Sequence, residues 1–197
     1  MTMSTLKIAL AVALLGSAVP ASANSIVPPG PVAGIAKSSI GASPAGEWNR
    51  LSRSDGKNIE VWTRDGDSLN KITFFGGIAD GQPLYKERDK KNMPLPKVQA
   101  NMLVADIPVL FETTYRSQYR VNKMSIDSQE MVQVNGKPAI RFTYTFVKSD
   151  DEVLRSGEAV AALVKGKLFL VSYEAPSIWF FGKDLEGFHQ VVQTLKF

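Results

Sequence analysis

The 197-residue sequence contains no cysteine and a single histidine, His189. Without cysteine there is no disulfide, no thiolate nucleophile, no Cys-ligated metal and no lipid-bearing cysteine of the bacterial lipoprotein kind. One histidine falls short of the several His or Cys ligands that a transition-metal site uses. At about 100° per residue, His189 also lies off the centre of the Leu185/Phe188/Val192/Leu195 stripe, at the polar border of a C-terminal helix. A surface histidine is expected there rather than the buried member of a catalytic triad. The P-loop, the G-x-G-x-x-G fingerprint and the G-x-S-x-G elbow are all missing. Asp65-Gly66-Asp67-Ser68 lacks the remaining ligand positions of a calcium loop. The expectation is therefore no catalytic residue, no metal and no cofactor.

Charge of one sign is scarce too. The chain has 23 basic and 19 acidic residues, a net charge of +4, and the basic residues are not interleaved with aromatics. That balance excludes a nucleic-acid footprint. Long apolar runs are also lacking, so no integral membrane segment is expected in the mature chain. The one short apolar run is N-terminal: Lys7, then Ile8 to Leu15, then small residues into Ala21-Ser22-Ala23. This pattern reads as a secretory signal peptide over residues 1–23, cut before Asn24. Removing Lys7 from the 23 basic residues leaves 22 against 19, a net +3. The address implied is a bacterial periplasm, with secretion to the medium second.

Residues 24–46 hold Pro28, Pro29, Pro31 and Pro44 among Gly, Ser and Ala, and read as a flexible tether. The body, residues 47–197, is long enough for one domain with its own core. Its centre is legible as β structure. Ala139 to Phe146 alternates strictly, with Ile140, Phe142, Tyr144 and Phe146 on one face. Ala159 to Val164 and Leu168 to Tyr173 are apolar at nearly every position, and Lys165-Gly166-Lys167 turns one into the other. Strands buried on both sides need a layer on each face, so this hairpin is expected in mid-sheet. Asp65-Gly66 and Asn135-Gly136 mark two further hairpins. Asp106 is expected to cap a helix running to about Ser117, and Asp184 to cap the final helix. Residues 78–100 read as a long polar connection with a charged run, Lys86 to Lys91.

The order of elements, with Gly-Lys-Pro-Ala-Ile-Arg-Phe-Thr-Tyr-Thr at 136–145, Gly157 before an apolar strand, Gly166 to Tyr173, and Phe188 to Phe197 at the close, resembles the PsbP-like superfamily. That superfamily includes the extrinsic photosystem II protein, Ran-binding relatives and bacterial envelope proteins of the DcrB type. The resemblance covers roughly 47–197. It implies an α+β fold: an antiparallel sheet covered by helices on both faces, a three-layer α/β/α sandwich. It also implies a non-enzymatic binding or assembly role, and places no binding residue position by position.

The stretch that invites a functional reading is Ser177 to Gly182. Three consecutive aromatics, Trp179, Phe180 and Phe181, cannot all face one core side. Full burial is the favoured reading, some stapling helix to sheet; any left exposed would be binding anchors. Together with Tyr85, Lys86 and Arg88 they form the candidate binding site. The expected function is an exported, non-enzymatic binding or assembly module acting on a protein partner in the cell envelope. The alternative is a small-molecule or lipid carrier with its site near Trp179. A remote alternative is a hydrolase using Glu158 and Glu174 as paired carboxylates.

Overall fold

The computed structural model describes residues 23–119 and 121–197. Along the chain run β1 (Ser25–Val27), β2 (Val32–Ile35), β3 (Ile40–Ala42), β4 (Trp48–Arg50), β5 (Ile59–Thr63) and β6 (Lys71–Ile78). A single 3₁₀ turn, Val104–Asp106, leads into α1 (Ile107–Tyr119). Then come β7 (Val121–Val134), β8 (Lys137–Lys148), β9 (Leu154–Val164), β10 (Lys167–Pro176) and α2 (Phe180–Gln193). The protein is an α+β fold in which eight strands form one antiparallel sheet, ordered β1-β4-β5-β6-β10-β9-β8-β7. The β9–β10 hairpin is in mid-sheet, as the two-sided apolar runs require.

Two-residue turns close both long hairpins. Asn135-Gly136 and Lys165-Gly166 have positive φ at both positions, the conformation whose twist matches that of paired strands. Strict alternation sorts side chains into two apolar clusters. Adjacent Phe74 and Phe75 of β6 enter different ones, as do Val160 and Ala161 of β9. Phe188, Val191 and Val192 of α2 complete the first cluster; Ile107, Leu110, Phe111 and Tyr115 of α1 complete the second. Gly157 is needed by this packing: a Cβ there would collide with the Tyr144 ring on the neighbouring strand.

Three expectations change. Residues 24–46 are not a free tether. They form β1, β2 and β3 and bury Val27, Ile35, Ala36, Ile40 and Ala42 in the α2 cluster. The prolines sit between these short strands, so the composition that suggested a tether instead punctuates tight turns. Polar contacts hold the segment: the Ala36 N–H donates to Glu60 Oε2 (3.0 Å), and Gly41 and Lys196 exchange backbone hydrogen bonds of 3.0 and 2.9 Å. The stretch 78–100 is likewise anchored, burying Leu84, Tyr85, Leu95 and Val98 and bridging Pro83 to Lys97. Finally, α2 starts four residues before Asp184. The expected signal peptide lies outside the described residues, except for Ala23.

Candidate functional site

The expected site residues fall into two separate groups. The first is at the start of α2. The Phe180 N–H donates to the Ile178 carbonyl at 2.7 Å, closing a three-residue γ-turn around Trp179, whose φ is +64° and ψ −53°. For a bulky L-residue this is a rare conformation costing on the order of 1–3 kcal/mol, retained only where its surroundings enforce it. The turn divides the aromatics. Phe181 stacks on Tyr173 at 5.4 Å, and the Tyr173 hydroxyl donates to the carbonyls of Phe180 and Phe181, each at 3.1 Å. Trp179 points away and is 65% exposed; its neighbour Ile178 is 86% exposed. The expectation that the three aromatics are fully buried therefore fails: Trp179 is exposed, and Phe180 and Phe181 are half-buried. The Ser177 N–H donates to the Leu154 carbonyl (2.9 Å), which brings exposed Val153 and Leu154 beside them. An apolar ridge results.

An ion-pair network anchors the first turns of α2 just beyond it. Asp184, expected as a cap, is instead buried inside α2 and accepts from Arg64 Nη1 (2.7 Å) and Asn70 Nδ2 (2.8 Å). Arg64 lies over the Trp48 ring at 4.4 Å and close against Gly187, so helix and sheet edge are clamped together. Lys183 Nζ bonds Asp65 Oδ2 at 2.6 Å and so lowers the Asp65 carboxyl below its ordinary value.

The second group is on the α1 side. Tyr85 is buried edge-on to Phe75 (5.2 Å) and Tyr119 (5.6 Å). Lys86 and Arg88 are exposed, Arg88 lying a loose 3.6 Å from Asp55. Tyr85 and Lys86 line a cavity of about 620 Å³; Trp179, Phe180 and Phe181 are not in its lining.

The paired-carboxylate reading fails on register. Glu158 is opposite Tyr173 and Glu174 opposite Gly157, so successive positions send the two carboxylates to opposite sides of the sheet. Glu158 goes to the α2 side and meets His189 Nε2 at 3.1 Å, which keeps His189 half-exposed at the helix border. Glu174 goes to the α1 side, where it is buried with Lys71 Nζ at 3.0 Å and the Tyr115 hydroxyl donating at 2.7 Å. Burial alone would raise the Glu174 carboxyl, but Lys71, the Tyr115 hydroxyl and Lys148 outweigh it and hold it below its ordinary value. Burial alone would lower the Lys71 ammonium, and Glu174 overrides it, so Lys71 stays charged. Sequence reasoning missed this pair because Glu174 stands near a strand end, where charges usually meet water. The available signal was a lone acid between Tyr173 and Ala175 in an otherwise apolar strand.

Among the described residues no helix is long and apolar enough to cross a membrane. No protein-family model matches the chain, and no curated protein matches it in sequence. Solved structures do resemble it. The solution structure of cyanobacterial PsbP (CyanoP) from Synechocystis matches with a TM-score of 0.52 at 16% identity, covering 92% of this chain and 98% of that one. A Pseudomonas aeruginosa protein of unknown function, PA94, described as a putative regulator, matches at 0.46 and 8% identity, over 77% and 90% of the two chains. LpqN of Mycobacterium tuberculosis, described as involved in cell envelope biogenesis, matches at 0.35 and 7% identity, over 89% and 84%. At 16% identity the likeness to cyanobacterial PsbP is one of topology. The chain has the PsbP-like fold.

Proposed function

We infer that the protein is an exported, non-catalytic binding or assembly module that meets a protein partner in the bacterial cell envelope, with the periplasm as its compartment. The reading rests most on one observation: Trp179 is held outward in a strained turn by a clamped helix start. Exposed aromatics beside exposed aliphatics, here Val153, Leu154 and Ile178, are the usual anchors of protein interfaces. The signal-peptide pattern at residues 1–23 supports export, and the separation of Glu158 from Glu174 supports a non-catalytic role. The two apolar clusters, each with its own helix, support reading the body as a three-layer sandwich whose faces serve docking. A photo-crosslinking amino acid at Ile178, in intact cells, tests the proposal. The expected result is one specific envelope adduct that disappears when Trp179→Ala is added. Failure to trap any specific protein at Ile178 and at Leu154 would sink it.

The carrier reading is favoured by a different observation from the one that suggested it. Phe180 and Phe181 are packed on the α2 cluster, whereas the 620 Å³ cavity lies at Tyr85 and Lys86. Native mass spectrometry of protein purified without denaturation checks it; a bare mass alone would remove it.

A further inference from the structure

A second cavity, of about 470 Å³, lies between the 88–95 stretch, the C-terminal end of α1 and the connection from β8 to β9. Among the described residues its cationic side chains are Arg88 and Lys148. Lys148 Nζ stands 5.5 Å from the Tyr119 ring centre, and Lys71 Nζ stands 5.3 Å from the same ring. The two lysines differ in what balances them. Lys71 has Glu174 at 3.0 Å, and both Glu174 oxygens are taken, one by Lys71 and one by Tyr115. Half-buried Lys148 has no carboxylate at ion-pair distance among the described residues. Burial accordingly lowers its pKa below the ordinary lysine value. Gln118 also lines the cavity, and its amide nitrogen has no acceptor among the described residues. The acids in the lining do not answer these donors. Asp89 accepts both the Asn92 backbone N–H (3.0 Å) and Asn92 Nδ2 (2.9 Å), and Asp150 is exposed at the rim. The rest of the wall sets Ser117 and Ser149 beside one apolar strip, made of buried Leu95, exposed Met93 and the Tyr119 ring.

A partly desolvated cation and a buried donor without an acceptor are both costly, and a carboxylate, with two accepting oxygens, is the kind of group that can answer both through charge-assisted hydrogen bonds. An apolar wall beside them gains only from a ligand that also carries hydrocarbon. We propose that this cavity binds an organic carboxylate, its carboxylate against Lys148 and Gln118 and its apolar body against Leu95, Met93 and Tyr119. The volume suits a small amphiphile, within the usual range of about 300–1,000 Å³ for ligand pockets. Inorganic phosphate would meet the donors but leave the apolar wall unused; a neutral alcohol would do the reverse. The site is separate from the Trp179 ridge and does not depend on the docking reading.

Calorimetric titration of the full chain with octanoate, 1-octanol and inorganic phosphate tests it. Octanoate is expected to bind at least about tenfold tighter than either, the effect of roughly one charge-assisted bond. Lys148→Met should remove that margin for octanoate and leave octanol unchanged, and Gln118→Leu should weaken octanoate by a smaller factor. In wild-type protein carrying ¹³C-methylated lysines, octanoate but not octanol should shift the Lys148 signal, a readout that survives if the variants fold poorly. Equal binding of octanoate and octanol, effective competition by phosphate, or an unmoved Lys148 signal would each overturn the proposal. Trp179→Ala should leave octanoate binding intact, so loss of the docking reading and loss of this one are told apart.

Discussion

The cluster completed by α2 and the cluster completed by α1 share the central strands, yet they treat polar groups in opposite ways. On the α2 side the interior is Val, Ile, Ala, Phe and Trp with a single buried tyrosine, Tyr173, and the charges sit at its border: Arg64 with Asp184 and Asn70, and Glu158 with His189. There the charges act as clamps, and what they clamp is the helix that follows the strained turn of Trp179. On the α1 side an ion pair and three tyrosines, Tyr85, Tyr115 and Tyr144, lie inside the apolar cluster, and the Tyr85 and Tyr144 hydroxyls have no partner among the described residues. The cavity at Tyr85 and the one at Lys148 open on that side. The exposed Trp179 ridge and the two cavities therefore lie on different sides of the sheet.

Breaking the buried pair should produce the largest effect. Glu174→Gln leaves Lys71 charged, buried and unanswered, and is expected to lower unfolding free energy by about 3–5 kcal/mol in a urea titration. Replacing both partners, Glu174→Leu with Lys71→Met, should recover most of that loss; a double variant as unstable as the single would refute the assignment. The same pair fixes the pH response. The Glu174 value is depressed on folding, so its stabilisation is present above the ordinary value of 4.5 and is lost as pH falls through the lower folded value. The Lys71 value is raised, so its contribution is complete below the ordinary 10.5 and is lost only above it. Stability from this pair should therefore be flat from 4.5 to 10.5 and fall in acid, with the fall abolished in the double variant.

Next in size is Gly157→Ala, which forces the Tyr144 ring to move and should cost about 1–3 kcal/mol through overpacking. In a Tyr144→Leu background the same change should be nearly neutral, and equal costs in both backgrounds would show that ring contact is not the cause. Smaller again is Trp179→Gly. Release of the positive φ offsets the added freedom of the unfolded chain, so stability should change by less than about 1 kcal/mol while the Ile178 crosslink is lost. Lys86→Ala, at an exposed side chain, should stay within about 0.5 kcal/mol.

How far these features could be read in advance follows from the range of the forces behind them. Alternation in 139–146, the unbroken apolar runs at 159–173 and the Asn-Gly and Lys-Gly turns are local signals, and each predicts its strand or turn. Residues 24–46 misled because proline and glycine punctuate short strands as readily as they loosen a tether; only Glu60, Gly76 and Lys196, distant in sequence, decide between the two. Asp184 misled in the same manner. An acid at a helix start is a cap unless an arginine 120 positions away draws it inside. The candidate site was half legible: the Trp179 run stood out as aromatic, but which ring faces water depends on a γ-turn that Tyr173 and Phe181 impose.

By itself, then, the amino-acid order determined the class of the fold, the mid-sheet place of the 159–173 hairpin and the absence of thiol chemistry, because side-chain periodicity and residue inventory act over a few positions. Tertiary structure alone decided that Glu158 and Glu174 part company across the sheet, that Lys71 answers one of them, and that Lys148 is left facing a cavity. Those outcomes depend on strand register and on pairs tens to a hundred residues apart, where electrostatics and burial are set by folding and not by neighbours in the chain.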